Sequence, residues 1–219
     1  MFKGNVALSY HQDPDFRVEV DNLAFMSKSF PCIYMHTYVN AAGCSPTPNQ
    51  LAHIITRLRQ YCRGEDLDFV HEVDNRHQPG TFDFTHHTSQ GVRRYLASNI
   101  EPFGQPRQSA IDEITRFCNT LQGRLELLPA EMKNMPLHEP LCEIGFTIEA
   151  PKRLAKHSEH KQSTRVMNVV EAVGEVEFCG HQFGMKQIVI KIVGSAREAS
   201  LAEIFFTRLT QAYTWWATV

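Results

Sequence analysis

One segment of the chain has both of its ends written into it. In SPTPNQLAHIITRLRQYCRG, residues 45–64, Thr47 is placed to cap a helix and Pro48 suits the first helical position, where its missing N–H loses nothing. Leu51, Ile54, Ile55, Leu58 and Tyr61 then recur at helical spacing on one face, and Gly64 marks the stop. A helix with such a stripe must bury it against another layer, so the question is what the neighbouring segments supply.

They read mainly as strands. NVALSY (5–10), FRVEV (16–20) and CIYMHTYV (32–39) alternate and carry β-branched or aromatic residues. CEIGFTIEA (142–150), VMNVVEAVGEVEF (166–178) and QIVIKIVG (187–194) repeat that plan late in the chain. Ser195 with Glu198 signals a last helix, on which Leu201, Ile204, Phe205, Leu209, Ala212 and Trp216 form an apolar row, and Phe205, in mid-row, is expected in the core. Between these ends, LDFVHEVD (67–74) and TFDF (81–84) read as a hairpin and Thr88 as the start of a helix. After a proline- and glycine-bearing loop, Ser109 with Asp112 opens a further helix, whose face is Ile111, Ile114, Phe117 and Leu121 and whose stop is Gly123.

The expected class is α+β, with a mostly antiparallel sheet and helices against one face. Two β-hairpin-plus-helix units, 1–66 and 141–219, flank a helical insert at 67–140, all within one domain of 219 residues. VEVDNLAFMSK (18–28) aligns without a gap on VEFCGHQFGMK (176–186), matching Val18, Glu19, Phe25 and Lys28 with Val176, Glu177, Phe183 and Lys186. Internal duplication and convergence of similar hairpins both account for it.

The formal net charge of −2 gives no global attraction to nucleic acid or an anionic membrane. No stretch approaches the ~20 apolar residues of a membrane helix, and the N-terminus lacks the apolar core of a secretory signal. The expectation is a cytoplasmic protein with no membrane contact. The cysteines at 32, 44, 62, 118, 142 and 179 show no C-x-x-C spacing, so thiols rather than disulfides or a zinc ribbon are expected. Cys44, just before a helix start whose dipole could activate a thiol, has no marked histidine partner and reads as structural or simply exposed.

Two stretches carry chemistry. PKRLAKHSEHKQSTR (151–165) gathers Lys152, Arg153, Lys156, His157, His160, Lys161 and Arg165, which as a loop could contact phosphate groups by charge. HEVDNRHQPGTFDFTHH (71–87) gathers Asp74, His77, Asp83, His86 and His87, a donor set suited to zinc or manganese. On a strand, adjacent His71 and Glu72 would point to opposite faces, with His71 in the core and Glu72 and Asp74 in solvent. Trp215 lies off the last helix's row and is a candidate protein-interface residue.

No Walker A loop, G-x-G-x-x-G, G-x-S-x-G, H-E-x-x-H or kinase signature is present. The leading expectation is therefore a non-catalytic binding or assembly module without a cofactor. It would be a subunit of a larger complex or a homo-oligomer, and would meet nucleic acid or another phosphate-rich partner through 152–165. The alternative is a divalent-metal-dependent hydrolase or nuclease with its site in 72–87.

Overall fold

The computed structural model describes residues 5–77, 93–97, 105–160 and 164–209. Among them, helices α1 (Val6–Gln12) and α2 (Pro14–Met26) lead into strand β1 (Cys32–Val39), followed by α3 (Pro48–Arg63), α4 (Leu67–Asn75) and α5 (Gln108–Glu126). Then come β2 (Cys142–Thr147), α6 (Ala150–Ser158), α7 (Arg165–Glu177), β3 (Gly184–Ile192) and α8 (Ala196–Leu209). The fold is α+β, and its sheet is antiparallel throughout, in the order β2-β1-β3. β1 pairs on one edge with β2, Cys32 opposite Thr147, and on the other with β3, Val39 opposite Gly184.

The strand's two-residue period sorts its side chains onto two helical layers, not one. Ile33, Met35 and Val39 pack in a cluster with Val6, Val20, Ala199, Ala202 and Phe206, from α1, α2 and α8. Tyr38, on the other face, joins the larger cluster, built from α3, α4, α5 and α7. The α3 helix is as its sequence dictates: Thr47 and Gln50 form a reciprocal capping box, and Gly64 ends it in the left-handed conformation at φ 70°.

Four segments that read as strands are helices, and each has a local reason. Asn5 caps α1 through Leu8 N–H, and Asp13 caps α2 through Asp15 and Phe16 N–H with Pro14 in the first turn. Asp66 caps α4 through Phe69 N–H, and its buried set is Phe69, Val70, Val73 and Asp74, a helical rather than an alternating pattern. Thr164 caps α7, where Val166, Val169, Val170 and Val173 are all fully buried. In that helix burial overrides the β preference of valine. The two hairpins are thereby removed, since β1 pairs with β2 and β3 across the whole chain. The aligned segments differ in structure: residues 18–26 lie in α2, whereas 184–186 begin β3. A duplication is not confirmed.

The last helix is turned by about one position from the expected row. Ala199, Ala202 and Phe206 are buried, whereas Phe205 is 60% exposed and Leu201 and Ile204 are also in solvent. Both rows are apolar, and the alanines let the helix approach the sheet closely. Trp215, Trp216 and Ala212 lie outside the described residues. No described helix is long and apolar enough to cross a membrane.

All six cysteines are free, with Cys32, Cys62, Cys118 and Cys142 buried. Burial pushes the thiols of Cys32 and Cys62 up to about 11 and that of Cys118 to about 12, which keeps them protonated and inert. Cys44 is partly exposed, and its backbone N–H donates to Asn40 Oδ1 in the turn before α3. Gly43 in that turn has φ 79°, and a Cβ there would fall 2.5 Å from the Ala7 carbonyl oxygen.

Candidate metal centre

Three side chains from distant parts of the chain converge beside α7. His77 follows the end of α4, His160 follows the end of α6, and Glu171 lies within α7. One ligand atom from each lies within 4.8 Å of the others. The two imidazoles stack with centroids 3.9 Å apart and planes inclined by 22°.

Each candidate ligand is held from outside. Glu171 accepts the Met185 N–H at 2.6 Å through Oε1, which ties one carboxylate oxygen to the start of β3, while its Oε2 lies 2.9 Å from His160 Nε2. His160 Nδ1 meets the Tyr95 hydroxyl at 2.8 Å. The second nitrogen of a metal-bound histidine needs such a partner to fix ring orientation and tautomer. His77 Nε2 is 2.9 Å from Glu175 Oε1, close enough for an ion pair but not aligned as a hydrogen bond. Glu175 is one turn beyond Glu171, so both carboxylates leave the same face of α7.

The backbone supports this arrangement. His77 and His160 both have positive φ, 52° and 53°, and Arg93 beside Tyr95 has φ 48°. Such conformations in non-glycine residues are uncommon and persist where surroundings hold them. Asp74 is the chief anchor here. Its fully buried carboxylate accepts from the Tyr61 hydroxyl at 2.5 Å and from Arg94 N–H at 3.0 Å, fastening the Arg94–Leu96 turn to α4. The Arg94 guanidinium donates to the carbonyls of Asp74 and Arg76 and covers the Tyr95 ring at 4.6 Å.

The two histidines differ electrostatically. Burial lowers the pKa of His160, opposed by Glu171 and aided by His77 and Arg94, so the net shift is downward. Burial also pulls on His77, but nearby Glu175 and Glu171 outweigh it and raise the pKa. A neutral His160 is in the form a metal ion requires. The His160 side chain is fully buried, while those of His77 and Glu175 are partly exposed.

The sequence-expected residues are redistributed. Asp74 is buried on α4 and committed to Tyr61 and Arg94, not solvent-facing, and His71 is only partly buried. His77 does reach the cluster. Asp83, His86 and His87 lie outside the described residues, as does Lys161. The basic segment is largely the helix α6 rather than a loop. Lys152 pairs with Glu149 at 3.3 Å, Arg153 donates to the Tyr34 hydroxyl at 3.3 Å, Arg165 pairs with Glu113 at 3.2 Å, and Lys156 lies partly exposed on α6. His157 is buried and His160 belongs to the cluster, so neither joins the exposed cations of α6. Glu171, Glu175 and Tyr95 were missed. The E-A-V-G-E spacing of 171–175 is the signal for the first two, and it is hidden as long as 166–178 reads as a strand.

A second buried histidine pair lies under α6. His36 and His157 meet edge to face at 4.2 Å, and His157 Nε2 is 3.0 Å from the Tyr34 hydroxyl. Burial takes His36 down to about 3 and His157 down to about 4, with Arg153 assisting in both and His157 also depressing His36. Unfolded histidine titrates near 6.5. Between these values the unfolded chain binds more protons, so this stabilisation is complete above about pH 6.5 and is lost as pH falls through 4 toward 3. The urea midpoint should drop across that window, and His36→Gln should flatten the drop. Parallel pH curves for the two proteins would contradict this assignment.

No protein-family model matches the chain, and no similar curated protein or solved structure is found.

Proposed function

We propose that the protein binds a divalent transition-metal ion through His77, His160 and Glu171 and uses it to hydrolyse an ester. The observation that carries this reading is the convergence of three ligand atoms within 4.8 Å at a partly open site. Two imidazoles and one carboxylate are a zinc- or manganese-compatible set, and three protein ligands leave positions for water and substrate. A metal held by His77, His160 and Glu171 would polarise the ester's P=O or C=O group and lower the pKa of water. The water oxygen bonds to phosphorus or carbon, the ester oxygen leaves, and the proton passes to the leaving group. Glu175, outside the triad and 2.9 Å from His77 Nε2, is the carboxylate assigned here to carry it.

The test is hydrolysis of bis-p-nitrophenyl phosphate and p-nitrophenyl acetate by protein loaded with zinc or manganese. Chelator should abolish turnover, metal should restore it, and Glu175→Gln should lower kcat by about 100-fold or more. Turnover that survives both chelation and the Glu175 change would refute the hydrolytic reading.

A non-catalytic binding or assembly role is the second reading. It is favoured by the exposed row Leu201, Ile204 and Phe205 on α8, since contiguous apolar surface marks interaction sites. Contact with phosphate-rich partners through 152–165 would rest on the cations of α6. Sedimentation of the wild type and Phe205→Glu separates the assembly role: a change in mass supports it, and two identical monomers oppose it.

A further inference from the structure

The end of α1 meets the start of β3 in an arrangement that the metal reading does not use. Lys186 Nζ lies 2.8 Å from His11 Nε2 and 4.2 Å from the centre of the Tyr10 ring. An ammonium has only hydrogens to offer, so His11 Nε2 accepts and the imidazole proton sits on Nδ1. Lys152 and Lys191 meet the carboxylates of Glu149 and Glu198, whereas Lys186 meets an imidazole. Lys186 and His11 are both partly exposed, at the surface of the fold rather than within its core.

The pair is held in place from several sides. Arg17 donates to the carbonyls of Tyr10 and His11 at 3.1 and 2.9 Å, which fixes the last turn of α1. A Cβ on Gly43 would come within 2.8 Å of His11 Cδ2, so the imidazole is seated against a turn that has no side chain there. The Tyr10 hydroxyl donates to Asp21 at 2.9 Å, which holds the ring against Nζ. Lys186 is placed by β3, where it stands opposite Thr37 of β1. Its surroundings favour the free amine: burial first, and then Arg17, lower the pKa of Lys186 against an opposing pull from Asp21. Burial, Lys186 and Arg17 also lower the pKa of His11, so its imidazole is neutral at pH 7 and open to a proton.

A nucleophile and a base within hydrogen-bond reach, with the base itself held in position, are the signature of an activated nucleophile. We propose that Lys186 is an acylation site that takes the acyl group of a thioester, with His11 as the base that removes the amine proton. The lone pair of the neutral amine bonds to the acyl carbon, and the C=O electron pair moves to oxygen. The nitrogen of that adduct is acidic, and its proton passes to His11 Nε2 across the existing contact. The C=O bond then re-forms, the C–S bond breaks, and the thiolate leaves with the electron pair and takes the proton from His11. The product is an amide at Nζ and a free thiol. The pair supplies a base, so the donor must bring a leaving group that departs unaided, and a thiolate does so. His77, His160 and Glu171 take no part, so this inference stands apart from the metal reading.

The test incubates the full chain with N,S-diacetylcysteamine, a small acetyl thioester, near neutral pH and follows each lysine by peptide mass spectrometry. Lys186 should be acetylated at least about 10-fold faster than Lys152 and Lys191, at the low end of what a positioned base contributes. In His11→Gln the amide oxygen can still accept from Nζ but takes no proton. Acetylation of Lys186 should then slow by about 10-fold or more, while Lys152 and Lys191 keep their rates and so report an intact fold. Chelator should change none of these rates. The comparison among lysines of the wild type needs no variant, so it decides the matter even if His11→Gln loosens α1. A wild-type Lys186 that reacts no faster than Lys152 and Lys191 would overturn the proposal. So would a Lys186 rate that His11→Gln leaves unchanged, or one that chelator abolishes.

Discussion

Replacing Phe117 with alanine is expected to lower the stability of the fold by about 3–5 kcal/mol, the usual loss for a large aromatic removed from a packed core. Phe117 is 1% exposed in the middle of α5. It belongs to the cluster that joins α3, α4, α5 and α7, together with Leu58, Tyr61, Ile114 and Leu121. Removing the ring deletes its transfer free energy and leaves a cavity that helices fixed on both sides cannot close. Urea unfolding should show a lower midpoint with an unchanged slope. Phe205→Ala is the control, because Phe205 is largely exposed and its loss should stay within about 0.5 kcal/mol. Equal effects at the two positions would mean that α5 does not pack as described.

The same cluster positions the candidate site. Tyr61 is shared: its ring is in the core, while its hydroxyl donates to Asp74, which in turn fixes the Arg94–Leu96 turn and so Tyr95. The centre is therefore tied to the core through hydrogen bonds rather than carried on a free loop.

The sequence shows some of this plainly and conceals the rest for physical reasons. The α3 helix is legible because cap, stripe and stop all agree over 47–64. Strands β1, β2 and β3 are legible through runs of β-branched and aromatic residues. In α7, valines that favour strands sit at helical spacing, and burial on several sides removes the polar contrast that would reveal the period. For α4, LDFVHEVD fits an alternating pattern and a helical one over so few residues, and only the Asp66 cap decides between them. In α8 two apolar rows compete, and the choice depends on how closely Ala199 and Ala202 approach the sheet.

The candidate site was half legible. The histidine-rich stretch at 71–87 drew attention to His77, and the basic stretch at 151–165 contained His160, but under different chemistries. Their meeting depends on the left-handed backbone at both positions and on the packing of α4 against α7, which local sequence does not encode. Glu171 and Glu175 become visible as one pair only once α7 is known to be a helix.

The second large effect concerns the proposed metal site. If His160, fully buried and held at its other nitrogen by Tyr95, is a ligand as proposed, its removal should nearly abolish metal binding. Replacement of a mere orienting partner already costs about 10- to 100-fold in metal affinity, so removal of a ligand should cost more. His160→Ala is therefore expected to weaken zinc or manganese binding by more than about 100-fold, and Tyr95→Phe by about 10-fold.

Equilibrium dialysis of the full chain against zinc and against manganese, followed by elemental analysis, tests the central claim most directly. The account predicts one bound ion per chain in the wild type at micromolar free metal, abolished in His160→Ala and in Glu171→Ala. Folding of both variants would be checked by circular dichroism. No retained metal in the wild type, or stoichiometric metal that survives both replacements in folded protein, would contradict it.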